Sequence, residues 1–284
     1  MGAAGFEPAA SWSEAKCSVQ AELSALYTGQ TNVEIKTPRF RTADSVLSVT
    51  KNHIYILFEI QNKAICVLRR PPCRNRRLAM YKLGPEFDDK SIDPGTNILV
   101  SGPPLSGKRR LAFEALAHGA NDGEGAVIVT TRDSSDRVLT DFQALLDAPD
   151  DSHVGIVDCV TQHQGRSTKD TDIVKYASSP TDMTGIGIKF SEFVEEFYTE
   201  RGVTQNRVAI DSLSTLLMYS DLQTVFRFMH VLTSRIEDAE AIGVHVIESS
   251  AHDAETMNTL KQLFDGMVTV DEDETVTLQL PGTA

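Results

Sequence analysis

The stretch that decides the fold reads Asn97-Ile98-Leu99-Val100-Ser101-Gly102-Pro103-Pro104-Leu105-Ser106-Gly107-Lys108-Arg109-Arg110. Asn97 to Ser101 is a short apolar run bounded by turn formers, the pattern of a buried strand. Lys108 to His118 holds helix formers with apolar positions at Leu111, Ala115 and Leu116, and Gly119 is expected to end that helix. Between them Gly102 to Lys108 spells GxxxxGK. A strand, a glycine-bounded loop and a helix start together make a phosphate cradle. The glycines let backbone N–H groups turn inward, the helix N-terminus adds partial positive charge, and Lys108 reaches the β- and γ-phosphates. The expected contact set is Gly102, Pro103, Pro104, Leu105, Ser106, Gly107, Lys108 and Arg109. The plainer reading, a Gly/Pro turn before a helix, does not explain why strand, spacing, lysine and helix agree.

One position departs from the pattern. Arg109 stands where a Ser or Thr would ligate Mg²⁺. A guanidinium is always charged and cannot coordinate a cation, so Arg109 either contacts phosphate or points away. Mg²⁺ affinity is thereby put in question, while nucleotide affinity is not.

Downstream, strand and helix signals alternate. Strands are expected at Ala126–Thr130, Val154–Cys159, Val208–Ile210 and Val244–Ile247. Helices are expected at Asp136–Leu146, Gly185–Thr199, Leu222–Ile236 and Thr256–Leu263. Met267–Val270 and Val276–Leu280 read as a closing hairpin. Apolar strands alternating with helices predict an α/β fold with a mainly parallel sheet covered on both faces. A second motif, Arg207-Val208-Ala209-Ile210-Asp211-Ser212-Leu213-Ser214, is an apolar strand ending in an acid. Asp211 would hold Mg²⁺ there, or, with Ser212, cap the following helix.

These segments resemble the RecA-superfamily ATPases, in particular the archaeal KaiC-like branch, across roughly Met80 to Leu280. Besides the two motifs, the likeness rests on Phe264-Asp265-Gly266-Met267-Val268. The runs Ser178 to Gly187 and Leu216 to Phe226 resemble an uncharacterised haloarchaeal RecA-like group. The resemblance implies a three-layer αβα sandwich with a C-terminal antiparallel hairpin, ATP as ligand, and sites between copies of a homo-oligomeric ring or filament. It also implies a catalytic glutamate, commonly a Glu-Glu pair, just after the second strand. Arg132 and Asp133 occupy those places, so Asp133 is the remaining candidate to position water, or else a helix cap. Glu248, Ser249 and Ser250, after the fifth strand, stand where a sensor would meet the γ-phosphate, and Ser249 is the candidate among them.

Charge divides the chain. The 284 residues hold 27 Lys+Arg and 40 Asp+Glu, a net of −13. Residues 1–79 carry 11 basic and 6 acidic groups, a net of +5, which leaves −18 for residues 80–284. An acidic body with only seven lysines suits molar salt, where self-repulsion is screened. It opposes nucleic acid and anionic lipid at ordinary salt. No run of 18 apolar residues predicts a membrane span. Four cysteines without paired spacing predict neither a disulfide framework nor a zinc site. A cytoplasmic, halophilic nucleotide-binding protein is the expectation.

Residues 1–79 read as a poorly ordered leader containing one strand-like run, His53 to Glu59. Gly5 to Leu26 resembles the peptide read when translation opens inside a transfer-RNA gene. The expectation is therefore that translation begins at Met80, which a native N-terminal peptide mapping upstream of Met80 would refute. The basic cluster Arg69 to Arg77 then ceases to argue for a nucleic-acid partner. The loop Gln162 to Thr171 reads as solvated, and Phe226, Phe228, Met229 and Val231 as helix core.

These features favour a nucleotide-dependent regulatory or signalling module with weak or absent hydrolysis. An active oligomeric ATPase of the recombinase or clock-protein type is the alternative. A DNA-binding recombinase is disfavoured by the acidic body.

Overall fold

A computed structural model describes residues 80–281 together with three strands at 45–50, 53–60 and 63–69. The chain divides into two units, Met1–Arg74 and Asn75–Ala284. In the first, β1 (Ser45–Thr50), β2 (His53–Ile60) and β3 (Lys63–Arg69) form an antiparallel sheet in that order. The run His53 to Glu59 falls within β2. The sequence predicts this one strand, and β1 and β3 pair on either side of it. The stretch Gly5 to Leu26 and the basic cluster beyond Arg69 lie outside the described residues.

The second unit opens with a small antiparallel pair, β4 (Tyr81–Lys82) and β5 (Ser91–Ile92). Then follow β6 (Asn97–Gly102), α1 (Lys108–Asn121), β7 (Gly125–Thr130), α2 (Ser135–Gln143), β8 (His153–Asp158) and β9 (Val174–Tyr176). The chain continues through α3 (Met183–Arg201), β10 (Asn206–Asp211), α4 (Leu213–Tyr219), α5 (Leu222–Asp238) and β11 (Ile242–Glu248). It closes with α6 (Ala254–Lys261), β12 (Gly266–Val270) and β13 (Val276–Gln279). The sheet order is β13-β12-β6-β11-β10-β7-β8-β9, parallel except where β13 pairs antiparallel with β12. This is an α/β fold with a mostly parallel eight-stranded sheet and a C-terminal antiparallel hairpin.

The pleat explains why the central strands are apolar throughout. Successive side chains point to opposite faces. Ile98, Val100, Ala126, Ile128, Val244 and Val246 pack with α1 and α2 on one face. Leu99, Val127, Val129, Val208 and Ile210 pack with α3 to α6 on the other. Each helix brings a stripe to its face. Ile186, Phe190, Phe193 and Phe197 of α3 are buried at helical spacing, and Asp182 caps that helix by accepting the Gly185 N–H at 2.8 Å.

Chain direction follows from the same division. The connection from β6 through α1 to β7 crosses one face, and those leaving β10 and β11 cross the other. A crevice therefore opens at the carboxyl ends of β6, β11, β10 and β7, the place where open parallel sheets take ligands.

Two local expectations are corrected, and two short elements are added. Gly119 does not end α1, which runs on to Asn121. Gly119 is instead a packing position, since a Cβ there would lie 2.0 Å from Arg207 Nε. Val231 is 52% exposed, whereas Met229 is fully buried. The edge strand β9 and the short helix α4 were not foreseen, because three and seven residues are too few to display a period.

His245 on β11 is fully buried, 3.2 Å from Asn97 Oδ1. The Asn97 amide nitrogen already donates to the Gly95 and Thr233 carbonyls. Its Oδ1 is thus the acceptor, and His245 must carry its proton on Nε2. Burial holds the His245 pKa down at about 3. Between that value and about 6.5, the unfolded chain binds a proton that the folded chain refuses, so stability falls as pH falls. The slope should be up to about 1.4 kcal/mol per pH unit. Urea midpoints from pH 7 to 4 should show it, and a His245→Gln variant should lose that component.

Candidate functional site

The loop Gly102–Gly107 joins β6 to α1 at the crevice. Leu105 (φ 63°) and Gly107 (φ 80°) are both left-handed, which turns the chain sharply into the helix. A non-glycine residue held there is uncommon, and such positions gather at ligand clamps. Leu105 is 99% exposed at the loop tip, while Ser106 beneath it is buried. Gly102 admits no side chain, because a Cβ would meet Val270 O at 2.5 Å and Ser106 Oγ at 2.6 Å.

Lys108 is the first residue of α1 and is buried. Its ammonium donates to the Pro103 carbonyl at 2.7 Å and pairs with Glu248 Oε1 at 2.6 Å. Glu248 ends β11, next to the loop strand β6, so strand order alone brings the two together. Ser214 Oγ accepts the Glu248 N–H at 2.8 Å and lies 2.8 Å from His252 Nε2. Ser249, the expected sensor, starts the short 3₁₀ turn Ser249–Ala251. Glu248, not Ser249, is the β11 residue that meets the loop lysine.

Arg109 turns into the crevice. Its Nε donates to Asp211 Oδ2 at 2.5 Å and its Nη1 to Asp141 Oδ2 at 2.8 Å. Asp133 Oδ2 lies 3.5 Å from Nη2. The guanidinium sits 4.7 Å above the Phe113 ring, one turn along α1. Burial opposes its charge, but Asp211, Asp141 and Asp133 outweigh burial and raise its pKa.

Asp211 ends β10 and is 1% exposed. It does not cap a helix; its carboxylate faces Arg109, and Ser212 is the N-cap residue of α4. Thr131 ties the neighbouring strand ends together, its hydroxyl donating to Ser212 O and accepting the Ser212 N–H, both at 2.9 Å. Asp133 does not cap α2, whose N-cap is Ser134. Its Oδ1 lies 3.5 Å from Arg137, and its Oδ2 lies 3.4 Å from Arg132 as well as near Arg109. Both oxygens therefore face guanidinium groups.

Residues 95–270, more than half of the chain, match one family model. The chain belongs to a family of unknown function, DUF7504. The DUF7504 match runs from the turn before β6 to the end of β12, and so contains Lys108, Arg109, Asp133, Asp141, Asp211 and Glu248. No curated protein matches the chain.

The expected residues thus converge, apart from Ser249. Asp141 is a partner that sequence does not single out, and Glu248 takes the place for which sequence favours its neighbour Ser249. Asp141 sat inside an ordinary amphipathic helix pattern, and Glu248 was one polar residue of three after a strand. Three buried polar atoms in this crevice have no hydrogen-bond partner among the described residues: Ser106 Oγ, Asp211 Oδ1 and Arg109 Nη2. Buried polar groups are ordinarily satisfied, so three unpaired atoms in one crevice stand out. Among the described residues no group of His, Cys, Asp and Glu has metal-binding geometry. Among them, too, no helix is long and apolar enough to cross a membrane.

Proposed function

We propose that this chain is an ATP-binding protein of the RecA/KaiC kind, working as a nucleotide-dependent regulatory or signalling module with weak or absent hydrolysis. The observation that carries the reading is the placement of Lys108. It opens α1 directly after a Gly-bounded loop, in the crevice at the carboxyl ends of parallel strands. In that position a triphosphate takes its negative charge to the helix N-terminus and to the ammonium of Lys108. Lys108 exchanges Glu248 and the Pro103 carbonyl for phosphate oxygens.

Weak hydrolysis follows from Asp133. A water attacking the γ-phosphate needs a carboxylate oxygen free to orient it. Here Arg109, Arg132 and Arg137 surround both oxygens. The second reading, an active oligomeric ATPase, requires Asp133 to leave these partners, with a neighbouring copy completing the site. The central strand order and the C-terminal hairpin support a RecA-like three-layer sandwich under either reading.

The deciding experiment measures ATP binding and phosphate release together on the full chain in molar salt. Binding with turnover below about 1 per minute is expected, against roughly 1–1000 per second for ordinary enzymes. Faster turnover that disappears in Lys108→Ala rejects the regulatory reading in favour of the ATPase. Absence of ATP binding rejects both.

A further inference from the structure

The residues present do not fit a phosphate-bound Mg²⁺. In a phosphate loop, the residue after the lysine gives a hydroxyl to the metal, and the strand-end acid holds that metal from the other side. Here the first place belongs to Arg109, and the second, Asp211, is bonded to Arg109 itself at 2.5 Å. A guanidinium has donors only and no lone pair to offer a metal. A cation at Asp211 would sit directly beside the Arg109 guanidinium, positive charge against positive charge.

We propose that Arg109 is a built-in cation that replaces the divalent metal, so that this site takes nucleoside triphosphate free of Mg²⁺. The proposal rests on the nucleotide-binding reading above and deepens it. Four observations carry it.

First, Arg109 is held rigidly, by Asp211 at 2.5 Å, Asp141 at 2.8 Å and the face of Phe113 at 4.7 Å. A side chain merely pointing away from phosphate would extend into solvent, as Arg110 does at 77% exposure. Second, its Nη2 is buried and makes no hydrogen bond among the described residues, Asp133 Oδ2 standing off at 3.5 Å, which leaves a donor for a phosphate oxygen. Third, Ser106 Oγ, on the loop just ahead of it, is also buried and has no hydrogen-bond partner among the described residues. Fourth, the strand-end carboxylate that would face the metal already has its Oδ2 bonded to Arg109, and Asp133 and Asp141 stand around the same guanidinium. A guanidinium fork also suits a phosphate, which it can bind through two parallel N–H groups.

The test compares ATP binding to the full chain by calorimetry in EDTA and in excess Mg²⁺, at fixed molar salt. The expected result is equal affinity in the two media, within about three-fold. Arg109→Ser should bind at least about ten-fold more weakly in EDTA, the loss of one charged hydrogen bond, and should regain affinity when Mg²⁺ is added. Wild-type affinity that falls ten-fold or more in EDTA overturns the proposal while leaving the nucleotide-binding reading intact. An Arg109→Ser chain that is folded by circular dichroism and binds like wild type in EDTA overturns it too. The wild-type comparison decides even if that variant does not fold. No binding in either medium means that the nucleotide-binding reading itself has failed, and this proposal with it.

Discussion

Replacing Arg207 by methionine is expected to destabilise the second unit by about 3–5 kcal/mol, the largest effect of any single substitution considered. Arg207 lies on β10 with its side chain fully buried. It binds Glu124 through two hydrogen bonds, Nε to Oε2 at 2.7 Å and Nη2 to Oε1 at 3.0 Å. Its Nη1 donates to the Ala115 carbonyl at 2.6 Å, and its guanidinium lies 5.6 Å from the Tyr81 ring. Methionine fills much of the volume but leaves the Glu124 carboxylate uncompensated in a nearly closed site. For a domain of this size, each 1 kcal/mol moves Tm by about 2–4 °C, so the melting temperature should fall by roughly 10 °C. The double replacement Arg207→Met with Glu124→Gln should recover much of the loss, because removing both charges removes the cost of burying either. A double replacement as unstable as Arg207→Met alone would show that packing, not charge, is at stake.

Lys108→Ala is expected to weaken ATP binding by at least about a hundred-fold, since the ammonium meets two phosphate groups and each charged hydrogen bond is worth about 1.5–3 kcal/mol. Stability should change far less, because the Glu248 left behind keeps contact with water, at 21% side-chain exposure. Glu248→Gln makes the complementary case. Without its carboxylate, Lys108 no longer has to break an ion pair to reach phosphate, and affinity should rise several-fold. Calorimetric titration of the three chains checks both directions. Equal affinities would mean that Lys108 is only a structural partner of Glu248.

The Lys108–Glu248 contact also marks where local sequence stops being informative. The elements of the second unit are legible because each carries its own period. Strands such as Val127–Val129 are apolar on both faces, and α3 repeats phenylalanine at 190, 193 and 197. Helix boundaries drifted by a few residues where a tertiary contact overrode the local signal. Gly119 is the clearest case, since it reads as a stop but makes room for an arginine from β10.

By itself, the sequence determined the alternation of strands and helices, the loop from Gly102 to Gly107, the lysine that follows it, and the acid at the end of β10. These are properties of residues adjacent or one turn apart. The tertiary structure decided which charges meet. Lys108 finds Glu248 140 positions away, Arg109 finds Asp211 102 positions away, and Arg207 finds Glu124 83 positions away. Such pairs follow from strand order, which places β11 between β6 and β10. No periodicity encodes that order. It is set by which packing buries both faces of the sheet at once, and it turns Arg109 from a misfit in a motif into the positive centre of the site.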